Sequence, residues 1–179
     1  MKNITIIMGG PGSGKGRISG MLMDGREFNY IETGSLLRSL PGDSEIAQIM
    51  KSGALVPDEK MFALIESKAN NSNHDIMFDG FPRTLPQAQW LVKNFTDPIT
   101  VIYLNLPESI MIQRIHTRIS EGSARADDAK EDIIRSRIKN FEKQTLPAIE
   151  FLRTAPGVKF LDIDARPMPE EIVAEIKAR

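Results

Sequence analysis

Cysteine is absent from the 179-residue chain, which excludes a disulfide scaffold and every thiolate zinc site. An excess of one charge is missing too, since 23 Lys and Arg stand against 24 Asp and Glu for a formal net charge of -1. That balance speaks against a general nucleic-acid binder and against a protein held on an anionic membrane, so basic chemistry has to be local. No apolar run approaches the ~20 residues of a membrane span. The opening segment MKNITIIMGG lacks the small-residue cleavage site of a secretory signal, and the chain is expected to stay in the cytoplasm. Repeats, low-complexity tracts and Pro/Gly/Ser stretches long enough to link domains are missing as well. The two histidines, His74 and His116, have no second histidine or cysteine at ligand spacing and read as structural or solvated side chains.

What is present suffices for one folded unit. With 41% hydrophobic residues, a chain of this length buries roughly 70% of its unfolded surface without metal or disulfide staples. Short β-rich apolar runs occur at Ile4 to Met8, Asp75 to Phe78, Ile99 to Leu104 and Val158 to Ile163, with a weaker one at Phe28 to Ile31. Helical periodicity fills the stretches between them, notably Pro107 to Ile119 and Asp127 to Arg153, the second expected to kink or break at Pro147. A last helix starts near Pro169, with Glu170 and Glu171 suited to the positive end of its dipole. Alternating strands and helices predict an α/β fold with a central five-stranded parallel sheet between helical layers, its ligands at the carboxyl ends of the strands. The nine methionines and Trp90 read as core packing.

Directly after the first strand stands Gly9-Gly10-Pro11-Gly12-Ser13-Gly14-Lys15-Gly16, which matches G-x-x-x-x-G-K and precedes a helix from Arg17 to Met23. Glycines let successive backbone N–H groups curl around an anion, the helix N-terminus adds partial positive charge, and Lys15 supplies a mobile cation to the β- and γ-phosphates. This is a phosphate cradle, and it makes the fold a P-loop fold. Gly16 stands where such loops carry a Ser or Thr hydroxyl that ligates magnesium, so a metal has to be organised elsewhere.

GGPGSGKG together with TGSLLR (33–38), GALVPDE (53–59), DGFPRTLPQ (79–87) and ARADD (124–128) resembles the adenylate kinase family of nucleoside monophosphate kinases, from residue 4 to about residue 175. The resemblance implies a single domain over 1–179, with a monophosphate-binding insertion at about 32–57 and a lid of the short form at about 119–127. It implies reversible, magnesium-dependent transfer of a phosphoryl group from ATP to AMP, giving two ADP, by a monomer without zinc. On the ATP side it implies the cradle from Gly10 to Gly16 with Arg17, Arg114, Arg118 and Arg166. On the AMP side it implies Thr33, Arg38, Leu55, Val56, Gly80, Arg83, Gln87, Arg125 and Arg137. Lys15, Asp79, Arg83, Arg118, Arg125 and Arg137 would carry catalysis, with Asp79 organising magnesium through its water shell and no residue ligating the metal directly.

These residue types suit the chemistry. Bringing a triphosphate against a monophosphate assembles several negative charges, and arginine binds phosphate oxygens bidentately while staying protonated. Arg114 and Arg118 are four apart, hence on one helical face, and Arg137 borders the apolar stripe of Ile134, Ile138 and Phe141. A monophosphate, with a second pKa of about 6, is already ionised at neutral pH. No general base is then required, whereas a hydroxyl acceptor would want one.

Thr33 and Gln87 accompany adenine in the resembled family, with Leu55 and Val56 bounding the base. Uridylate and cytidylate kinases have a small residue for the threonine and Asn after the FPR arginine, where Thr84 stands here. The same chemistry on UMP or CMP is the near alternative. Departures from the family pattern are Arg17 for a threonine, Ser35 for an aspartate, and a segment from Leu40 to Gly53 shorter than the usual insertion. Arg17 and Ser35 keep open a third reading, a nucleotide-binding protein that has lost turnover.

Overall fold

A computed structural model of the chain describes residues 2–39, 46, 48–49, 56–69, 73–123 and 130–179, with Arg38 by its backbone alone. Five strands, β1 (Ile4–Gly9), β2 (Phe28–Glu32), β3 (Asp75–Asp79), β4 (Ile99–Asn105) and β5 (Val158–Asp164), form one sheet in the order β2-β3-β1-β4-β5. Every neighbouring pair is parallel. Sequence composition follows position in the sheet. The inner strands are covered on both faces, so β1, β3 and β4 bury nearly continuous apolar runs, including Ile4, Ile6, Ile7, Phe78, Val101 and Leu104. The edge strands β2 and β5 are only partly covered, which is why β2 is the weakest signal in the sequence.

The helices are α1 (Lys15–Met23), α2 (Thr33–Arg38), α3 (Asp58–Ala69), α4 (Leu85–Asn94), α5 (Glu108–Ser120), α6 (Glu131–Asn140), α7 (Leu146–Thr154) and α8 (Pro169–Ala178). Helix α1 packs on α8 and α4 on α7, two layers flanking the sheet. Local chemistry sets several starts. Thr84 caps α4 by accepting from the Gln87 N–H at 3.3 Å, with a proline in the first turn, and α8 opens on Pro169 with both glutamates in place.

Two boundaries differ from the sequence reading. Helix α1 begins at Lys15 rather than Arg17, so the lysine belongs to the first turn. Between α6 and α7, where a kink or break is expected at Pro147, the helix is interrupted by a π-turn at Phe141–Thr145, just ahead of that proline. Pro147 stands in the first turn of α7, and since the helical backbone runs on from the π-turn before it, its missing N–H removes a bond from that run. Trp90 packs as expected, its ring stacked on Phe62 at 4.7 Å. His74 and His116 sit at the surface beside Glu27 and Glu131, at 3.3 and 3.4 Å. Of the expected insertion, 40–45, 47 and 50–55 lie outside the described residues, and of the expected lid, 124–127; Leu55 and Arg125 go with them.

Candidate active site

The chain leaves β1 toward β2 on one side and leaves β3 toward β4 on the other. The carboxyl ends of β1 and β3 therefore border the topological switch point, where open α/β sheets bind ligands. The glycine cradle follows β1 there, and Asp79 ends β3 in register with Ile7. A cavity of about 460 Å³ opens over them, lined by Pro11 to Arg17, Glu32, Gly34, Asp79, Gly80, Arg83, Arg114, Arg118, Arg137, Asn140, Phe141 and Thr145.

Gly10 lies beneath Met111, where a Cβ would run into the thioether, so the cradle is pressed against α5. Lys15 Nζ donates to the carbonyls of Gly9 at 2.8 Å and Gly10 at 3.0 Å. The ammonium thus lies along the loop it serves.

Arg83 is fixed from several sides. Its backbone N–H donates to Gln87 Oε1 at 2.7 Å, its carbonyl accepts from Thr145 Oγ1 at 2.9 Å, and its Nε donates to the Gly80 carbonyl at 2.8 Å. Thr33 Oγ1 donates to that same Gly80 carbonyl at 2.9 Å and to the Asp79 carbonyl at 3.3 Å. Gln87 Nε2 and Thr84 Oγ1 both donate to Asp58 Oδ1, at 2.7 and 2.8 Å. Thr33 and Gln87 are buried, at 1% and 2% exposure, and in this arrangement they hold the turn that carries Arg83. Gln87 and Val56 do not line the cavity.

On the opposite wall, Arg114 and Arg118 project from α5 and Arg137 from α6. Arg114 Nη2 donates to the Arg166 carbonyl at 3.1 Å. Arg166 itself stands outside the cavity lining and grips Asp164, the two at 2.7 Å. Those hydrogen bonds hold the Asp164 carboxyl down to about 2. Arg17 lies at the rim against Glu170 at 3.3 Å, both well exposed, a pair of little energetic weight.

Asp79 is buried, and Tyr30 Oη–H donates to its Oδ2 at 3.0 Å. Burial, followed by the Asp79 charge, pushes the Tyr30 phenol well above its ordinary value, so the hydroxyl remains a donor at every working pH. Sequence reasoning missed Tyr30, Glu32, Asp58, Asn140, Phe141 and Thr145. A signal existed for two of them, because Tyr30 and Glu32 are two apart on a strand and share a face.

A glycine cradle between β1 and α1 at the switch point of a parallel sheet, faced by arginines from two helices, defines an α/β P-loop protein built to bind phosphates. The family model described as adenylate kinase matches residues 7–156. An adenylate kinase of Prochlorococcus marinus (strain MIT 9313) is 36% identical over 162 residues, 86% of this chain and 86% of that protein. One of Mesoplasma florum is 29% identical over 206 residues, covering 96% and 97%, and a uridylate kinase of Saccharomyces cerevisiae is 30% identical over 166 residues, covering 87% and 80%. The chain belongs to the adenylate kinase family, whose chemistry is phosphoryl transfer to nucleoside monophosphates. Among the described residues, no helix is long and apolar enough to cross a membrane.

Proposed function

We propose that the protein transfers a phosphoryl group reversibly from magnesium-bound ATP to AMP, giving two ADP, as a cytoplasmic monomer. The observation that carries this reading is the convergence of Lys15, Arg83, Arg114, Arg118 and Arg137 on one cavity behind the glycine cradle. A protein that only held ATP would have little use for Arg83, set across the cavity on the β3 side.

The cradle amides and Lys15 bind the triphosphate, with Arg114 and Arg118 from α5 closing on it. Arg83 and Arg137 orient the acceptor phosphate, assisted by Arg38 and Arg125 as the resemblance implies. The donors neutralise charge and hold an in-line geometry, which is most of what this reaction asks of a protein. Closure of the insertion and the short lid would exclude water.

Asp79 would hold magnesium through its water shell, and the ion would supply neutralisation of the charge that develops on the phosphates. The site fits it through water rather than by direct ligation. Among the described residues, no group of three or more His, Cys, Asp or Glu could hold a metal. A Cβ on Gly16 would meet only Asp79 Oδ2, at 3.8 Å, which leaves space for water between cradle and carboxylate. Magnesium dehydrates reluctantly and suits such a place.

Support for AMP over UMP comes from Thr33, from Gln87 and from Thr84 after Arg83. The test is a coupled assay of the purified protein against AMP, UMP, CMP and GMP. We expect AMP to be preferred over UMP by about tenfold or more in kcat/KM, about 1.4 kcal/mol, and Lys15→Met to abolish transfer with the fold intact. Equal use of AMP and UMP would refute the substrate assignment. ATP binding without transfer to any monophosphate would favour the non-catalytic reading that Arg17 and Ser35 suggest.

A further inference from the structure

We propose that Glu32 supplies the second carboxylate for the magnesium water shell, taking over from the one absent at Ser35, and that Tyr30 holds Asp79 in place beside it. The inference rests on the phosphoryl-transfer reading above and adds a metal-organising residue to it.

Ser35, on α2, is exposed and does not line the cavity. Glu32 does line it, from the last position of β2. In the parallel ladder Glu32 is the register partner of Asp79, and Tyr30 is the partner of Met77. Register partners leave a sheet on the same face, and so do residues two apart along a strand. Tyr30, Glu32 and Asp79 therefore share one face, which the Tyr30 Oη to Asp79 Oδ2 hydrogen bond at 3.0 Å confirms for two of them.

This arrangement sets two hard oxygen anions at the switch point, where phosphates arrive. Their strands are neighbours, roughly 4.8 Å apart, and the tyrosine holds Asp79 Oδ2 at 3.0 Å. The space over Gly16 beside that oxygen admits water, and two carboxylates accept hydrogen bonds from a hydrated magnesium without displacing its water.

The test measures binding of the non-hydrolysable analogue AMP-PNP to the full chain, in EDTA and in saturating magnesium, for the wild type, Glu32→Gln and Tyr30→Phe. The quantity read is the ratio of the two dissociation constants, which needs no turnover. We expect magnesium to tighten binding to the wild type. Glu32→Gln should lower that ratio by about tenfold, the lower edge of what outer-shell partners of a metal contribute. In EDTA, Glu32→Gln should bind the analogue as well as the wild type or better, because an anion facing the phosphates has gone. Tyr30→Phe should lower the ratio less. A wild-type ratio in Glu32→Gln, or equal weakening in both buffers, would overturn the assignment while leaving the function standing. Failure of the wild type to bind the analogue in either buffer would overturn both.

Discussion

Gly80 offers the sharpest test of how the monophosphate side is held, because one added methyl group meets two functional neighbours at once. Its φ is +85°, and a Cβ built there would stand 2.7 Å from Thr33 Oγ1 and 2.8 Å from Arg83 Nη2. An alanine in the left-handed region costs about 1–2 kcal/mol. Relief of the contacts requires the Arg83 guanidinium and the Thr33 hydroxyl to shift, weakening bonds to the Gly80 carbonyl that now measure 2.8 and 2.9 Å. Each such bond is worth about 1 kcal/mol net, more for the charged donor. The expected loss for Gly80→Ala is therefore about 3 kcal/mol in urea unfolding. Catalytically, a displacement of the arginine by about 1 Å costs about a hundredfold. That loss should fall on kcat/KM for the monophosphate, measured at saturating ATP, with KM for ATP nearly unchanged, since the cradle lies on a different strand. A destabilised variant with wild-type kcat/KM for the monophosphate, or one impaired equally toward both substrates, would refute the reasoning.

Asp58→Ala should lower the urea midpoint by the equivalent of about 1–3 kcal/mol, the cost of leaving the buried Gln87 amide without its acceptor, and raise KM for the monophosphate by loosening the Arg83 backbone; unchanged stability would remove Asp58 from that support. For Asp164, the native carboxyl titrates near 2 against an ordinary 3.8 because Arg166 donates to it. A depressed native value means stability that is present above the unfolded pKa and is lost as pH falls through about 2. Carboxyl-detected NMR titration should show Arg166→Gln returning Asp164 toward 3.8, and added salt should do part of the same, since the pair is exposed; a carboxyl that still titrates near 2 in that variant would assign the shift to another cause.

What the sequence discloses and what it conceals divide along physical lines. Strands β1 and β4 are legible because burial on both faces demands an unbroken apolar run, and the cradle is legible because its glycines and Lys15 must occur at fixed spacing. The π-turn at Phe141–Thr145 leaves a fainter mark, since one extra residue in a turn only shifts the phase of the apolar period and leaves composition unchanged. Pro147 drew the expectation of a kink or break, and the irregularity lies in the turn just before it. The turn nevertheless matters to the site, because it brings Phe141 and Thr145 to the cavity and lets Thr145 hold the Arg83 carbonyl. Tyr30 and Asp79 are 49 residues apart in sequence, and only strand register brings them together. The same holds for Asp58, whose place in the first turn of α3 reads simply as a favourable dipole contact. Thr33 and Gln87 were legible as important, yet their observed bonds run to the Gly80 turn, to Asp58 and to Arg83.

The departures at 17 and 35 acquire a different weight once Glu32 is placed. Read along the chain, an aspartate lost from α2 and an arginine gained at α1 look like erosion of a metal-dependent site. In the folded protein the arginine is turned to Glu170 at the rim, and a carboxylate remains at the cavity three residues before the serine. A carboxylate at the end of β2 is positioned by its ladder with β3, whereas one on the six-residue helix α2 would depend on how that helix packs. Sites carried on helices and strands are both held more tightly than sites carried on loops. Glu32 at the end of β2 therefore keeps a firmly carried anion at the cavity, a charge that magnesium-dependent transfer uses and that the serine at 35 does not remove.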